Sequence, residues 1–147
     1  MPGTCPVCGA VFEEETSCQE IFDNFLVLEF TDAGYGSVHF LTVACFMIQH
    51  GRYSDEGLVW MEQKLREYLE DGISTEQIRR EATLEADQAR RKWKVTRAPD
   101  AQPLPKIAWS MTITDVAARY QDAESYRELI TEWGRVTLKE MKGWLRN

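Results

Sequence analysis

The amino-acid sequence predicts an all-α fold, a small helical bundle of about five helices behind a cysteine-bearing N-terminal turn. Three observations lead there. Apolar residues recur at helical spacing in successive segments, as in Leu58, Met61, Leu65 and Leu69. Capping residues open those segments and glycines close them: Ser17 with Glu20, Ser74 with Gln77, then Gly51 and Gly72. The chain also begins with CPVCGAVFEEETSC, a Cys-x-x-Cys turn followed by a third cysteine where the first helix should start.

The elements follow in order. Residues 1–17 form a knuckle and an acidic loop (Glu13, Glu14, Glu15), and Thr16 or Ser17 caps a first helix running to Phe30. Asp32 to Gly36 has turn chemistry, with an aspartate and two glycines. A second helix, about Ser37 to Gln49, is apolar on most sides and should be buried. A third spans Asp55 to Gly72, with Glu62, Lys64, Arg66, Glu67 and Glu70 on a solvated face. A fourth opens at Thr75, is thinly apolar, and ends in Arg90, Arg91, Lys92, Lys94 and Arg97, with Trp93 among them. Residues 98–106 hold three prolines in nine positions and should be an extended crossover. After a short apolar stretch anchored by Trp109, Thr114 should cap a short helix to Tyr120. The last helix, about Asp122 to Leu145, carries Tyr126, Leu129, Ile130, Trp133, Val136 and Met141 in helical register.

Composition bounds the function. A chain of 147 residues suits one domain spanning 1–147, able to bury roughly 70% of the surface its unfolded form exposes. A net charge of −7 disfavours nucleic acid and anionic membrane as main partners, since phosphate attraction needs a basic footprint. No apolar run approaches the ~20 residues that cross a bilayer. The first residues, MPGTCPVCG, lack the basic and apolar parts of a secretory leader. A cytoplasmic location follows as the expectation. Thiols stay reduced there, and clustered cysteines more often bind metal than pair.

Cys5, Cys8 and Cys18 plus one imidazole make a common structural zinc set, tetrahedral and closed. The alternative is a redox pair at Cys5 and Cys8, with Cys18 a small buried hydrophobe. Such pairs normally follow a strand, and none is expected here. The fourth ligand has three candidates: His39, Cys45 and His50. If the first two long helices form an antiparallel hairpin, residues whose numbers sum to about 67 or 68 lie side by side. Cys18 then meets His50, while His39 sits about 16 Å away along the helix, and Cys45 points about 140° round it. His50 is the expected ligand.

The same pairing puts His39 opposite Glu29. A carboxylate–imidazole pair inside a bundle is most often a satisfied polar contact. The sharper alternative is a second site in which Glu29, His39 and either Thr42 or Tyr35 line a pocket. The basic strip from Arg90 to Arg97 has the composition of a nucleic-acid contact. Cations at a helix C-terminus answer equally to the macrodipole, and the acidic balance elsewhere opposes phosphate binding. Phosphate-binding loops, nucleophile elbows and His-Glu-x-x-His motifs are absent.

CPVCGA, the third cysteine and VHFLTVACFMIQH together resemble a family of small uncharacterised bacterial proteins, a domain of unknown function. Its pattern is Cys-Pro-x-Cys-Gly, a cysteine opening a helix, His-x-Leu-Thr-Val, and Gln-His-Pro. Cys5, Cys8, Cys18, His39, Thr42, Gln49 and His50 match it, and Gly51 departs from the final proline. The resemblance implies bacterial origin and zinc, gives His39 a role beyond packing, and supplies no activity. The expected function is a zinc-binding module that acts on a protein partner. The alternative is a small hydrolase- or transferase-like enzyme using the Glu29/His39 region or the zinc.

Overall fold

Seven helices run through the residues that the computed structural model describes, 3–87 and 94–145: α1 (Cys18–Thr31), α2 (Ala33–Gly36), α3 (His39–Gln49), α4 (Asp55–Glu70), α5 (Thr75–Asp87), α6 (Ile113–Arg119) and α7 (Ala123–Leu145). The class is all-α as expected, with more helices than five. The additional element is α2. Asp32 ends α1 by donating its N–H to the Leu28 carbonyl, and its carboxylate then accepts the Gly34 N–H at 2.8 Å. The reversal expected over Asp32–Gly36 is thus itself one helical turn. Gly36 permits it, because a Cβ there would stand 2.5 Å from the Glu29 carbonyl oxygen.

Ser17 caps α1 by accepting the Glu20 N–H at 3.1 Å. The Glu20 carboxylate takes the Thr16 hydroxyl at 2.9 Å. At α6 the expected cap, Thr114, lies inside the helix and Thr112 is the N-cap. Asp115 decides this. Three residues after Thr112, its carboxylate accepts the Thr112 N–H at 2.8 Å, whereas Ala117 stands at the equivalent place for Thr114.

α7 packs against α2, α3, α4 and α6. Tyr126, Ile130, Trp133 and Met141 on its inner face are fully buried, as are Leu41, Cys45 and Ile48 of α3. Burying a side chain of this size is worth about 1.5–3 kcal/mol, so this two-helix seam is the main apolar core. Gln49 is buried with them, and its amide donates to the Met111 carbonyl at 2.9 Å and the Thr137 hydroxyl at 3.0 Å.

Lys64, expected on a solvated face, is buried. α5 covers it, and its ammonium bonds Glu81 of α5 and, at 3.1 Å, Glu67. Its nitrogen also stands 5.4 Å over the Trp60 ring. Segment 98–106 contains no helix. The Trp144 indole donates to the Pro105 carbonyl at 2.7 Å, and Trp109 meets the Trp144 ring edge-on at 5.4 Å. Arg90, Arg91, Lys92 and Trp93 of the basic strip lie outside the described residues. Arg97 is tied down locally, paired with Asp55 and donating to the carbonyls of Tyr53 and Gln102. Among the described residues no helix is long and apolar enough to cross a membrane.

Candidate metal centre

The knuckle is built from backbone. The Cys5 N–H donates to the Ala10 carbonyl at 2.8 Å, the Gly9 N–H to the Cys5 carbonyl at 3.0 Å, and the Phe12 N–H to the Gly3 carbonyl at 2.8 Å. Gly9 closes the loop at φ +83°, a left-handed conformation that costs glycine least. Pro6 fixes the chain between the two thiols. Ala10 and Phe12 turn inward, while Val7 and Val11 stay exposed.

Two helix ends meet this turn. Cys18 is the first residue of α1, and His50 is the C-cap of α3. Phe22 of α1 stacks on Phe46 of α3, centroids 4.0 Å apart and 4° from parallel, and the His50 ring packs on Phe46 at 4.4 Å. The aromatic stack thus fixes the antiparallel register of α1 and α3 beside the thiols.

Cys5, Cys8, Cys18 and His50 come together there. Their four donor atoms all lie within 4.8 Å of one another, a group that could hold a metal ion. Cys8 Sγ is 3.6 Å from Cys18 Sγ, and Cys5 Sγ is 3.8 Å from His50 Nε2. All four cysteines of the chain are free thiols. Cys8 and Cys18 are buried, and Cys5 and His50 half-buried.

The two buried thiols of this group perturb one another. The Cys18 thiol beside it holds Cys8 below the ordinary thiol value, and the imidazole of His50 and the Ala10 amide act in the same direction against burial. The neighbouring Cys8 sulfur and burial together push Cys18 above its ordinary value. A bound cation would favour the thiolate form of these cysteines.

His39 stands at the opposite end of α3, as its first residue, and Cys45 faces elsewhere. Cys45 is wholly buried; burial pushes its thiol up to about 12, with a hydrogen bond to Thr137 opposing. The Glu29 carboxylate is fully buried and accepts three bonds: His39 Nδ1–H at 2.7 Å, and the Thr42 and Tyr126 hydroxyls at 2.5 Å each. Tyr35 makes no bond to it and packs instead on Tyr126, centroids 5.0 Å apart.

Tyr126 is the residue that sequence reasoning missed. It lies in the apolar stripe of α7, 97 positions from Glu29. A tyrosine inside such a stripe needs a partner for its hydroxyl, which is the one indication the sequence carries. Burial and the neighbouring carboxylate both raise its pKa.

No curated protein and no solved structure matches the chain. Residues 3–142 match a family model described as a family of unknown function (DUF5946). That match takes in the cysteine turn, both ends of α3 and most of α7, so the chain belongs to this family of unknown function.

Proposed function

We propose that the cluster is a structural zinc site, and that the protein is a binding or adaptor module whose metal pins the N-terminal knuckle to the α1–α3 hairpin. The observation that carries this is the donor set at Cys5, Cys8, Cys18 and His50. Zinc bonds of about 2.3 Å to sulfur and 2.0–2.1 Å to nitrogen put tetrahedral donors roughly 3.5–3.8 Å apart. The Cys8–Cys18 and Cys5–His50 separations are 3.6 and 3.8 Å. Thiolates and imidazole suit zinc and disfavour the hard cations, which prefer oxygen. Four protein donors complete the tetrahedron and leave no position for water, the mark of a structural site.

The partner in this reading is another protein rather than nucleic acid or membrane, in keeping with a net charge of −7. Four free thiols, three of them side by side, suit a reducing cytoplasm. Metal analysis with zinc-edge absorption tests the centre. The expected result is one equivalent of zinc with three sulfurs and one nitrogen. A shell containing a water oxygen would favour catalysis at the metal, and iron or no metal would overturn the reading.

A further inference from the structure

A cleft of about 470 Å³ opens between α3, α4 and α5, at the end of α3 away from the cysteines. Its wall is apolar, with Phe40, Val43, Met61 and Ile78, and two basic side chains line it, His39 and Arg79. Among the described residues no carboxylate lines it. Arg79 is the fixed positive charge in that lining, in a chain with 24 acidic residues against 17 lysines and arginines. Arg79 is exposed and has no ion pair among the described residues.

His39 is the one Glu29 partner that reaches this cleft. Thr42 and Tyr126 are fully buried, whereas 39% of the His39 side chain is exposed. A carboxylate that only stapled helices together would be served by the two hydroxyls. The imidazole is oriented besides: a carboxylate can only accept, so Nδ1 carries the proton toward Glu29. Nε2 has no partner among the described residues and is the ring atom available to a ligand.

We infer that this cleft is a binding site for a small amphipathic organic acid bearing a hydroxyl. The hydroxyl pairs with His39 Nε2, the apolar body lies along Phe40, Val43 and Ile78, and the carboxylate faces Arg79. Glu29 is the positioning residue that sets the ring. The site is separate from the cysteine cluster and does not depend on what metal that cluster holds.

The chain has two histidines, His39 and His50, so ring-nitrogen NMR reads both ends of α3 in one spectrum. The probes are para-hydroxybenzoate and its longer homologue para-hydroxyphenylpropionate, which differ in hydroxyl-to-carboxylate span. At least one should move the His39 ring signals saturably at millimolar concentration and leave His50 unmoved. Arg79→Gln, a surface change that the fold will tolerate, should weaken that binding about tenfold, as should His39→Gln. Phenol and benzoate, each lacking one of the two groups, should bind more weakly than the better acid. Absence of a saturable His39 shift with both acids at about 10 mM would overturn the proposal. Unchanged affinity in Arg79→Gln would do so equally, even if His39→Gln does not fold.

Discussion

His50 donates its Nδ1–H to the carbonyl oxygen of Phe46, one turn back in the same helix, at 2.7 Å. A carbonyl only accepts, so Nδ1 carries a proton, and Nε2 is the ring atom turned toward Cys5. The ring is therefore aimed by the end of α3 itself, the kind of outer bond that orients metal-ligating histidines. Replacing His50 with Ala should weaken zinc retention by at least about tenfold. His39→Ala should keep close to a full equivalent. Metal analysis of the two purified variants decides it, and the reverse outcome would refute the ligand assignment.

Chelation should act locally first. The knuckle has few inward apolar groups, chiefly Ala10 and Phe12, and cannot order itself by burial alone. With the metal removed, amide exchange should rise over residues 3–17, while the α3–α7 seam keeps its protection. Melting should also fall, by roughly 3–5 °C for each kcal/mol of lost metal binding at this chain length. Exchange that rises uniformly along the chain would mean the knuckle does not open as a unit.

Cys45 predicts an alkaline limb. Burial raises its folded pKa from 9.0 to about 12, so the unfolded chain gives up this proton first. The sign follows: its contribution is whole below pH ~9 and is lost as pH climbs toward ~12, at about 1.4 kcal/mol per unit. Between pH 8 and 10.5 the wild type should lose about 2 kcal/mol more than Cys45→Ala, measured by urea unfolding. Tyr53 and Tyr126, also raised by burial, leave the variant with some residual slope. Parallel pH profiles for the two proteins would contradict the assignment.

Tyr126→Phe removes one of two hydroxyl donors from the buried Glu29 carboxylate. The cost should be about 1–3 kcal/mol, because a buried acceptor loses a bond that water cannot replace. Thr42→Val should cost a similar amount, and the double variant less than the sum, since both donors serve the same oxygen. Urea midpoints within error of wild type would show that Glu29 does not depend on these hydroxyls.

Gly36→Ala should destabilise by about 1–3 kcal/mol, the usual cost of overpacking. The added methyl would meet the Glu29 carbonyl oxygen at 2.5 Å, a backbone atom that cannot swing aside as a side chain would. Gly3→Ala meets nothing within 4 Å and is the matched control. Equal melting of the two variants would count against so close an α1–α2 approach.

Helix arithmetic made the residues around the cluster legible. A helix of known rise folded back at Asp32 puts Cys18 beside His50 and Glu29 beside His39, and the structure has both neighbours. What one-dimensional periodicity could not supply was contact between distant segments. Tyr126 reaches Glu29 only because α7 docks on α2 and α3. Lys64 looks solvated on α4 alone and is buried only because α5 crosses it with Glu81. The α2 turn was hidden for another reason. Asp-x-Gly sequences serve reversals and helix starts alike, and the close packing of Gly36 on Glu29 selects the helix.

The two ends of α3 differ in when they can be completed during synthesis. The cysteine end needs only residues 5–50, a contiguous stretch that leaves the ribosome before α7 does. The Glu29 end waits for Tyr126, and until α7 arrives the carboxylate lacks one of its donors and its cover. We therefore expect the full-length chain, refolded with zinc present, to protect the α1 and α3 amides near Cys18 and His50 before those around Glu29. Pulsed hydrogen exchange would follow this, and simultaneous protection of both ends would rule the sequence of events out. A translating cell would then hold a half-built chain whose metal end is closed while its acidic end is still open to water.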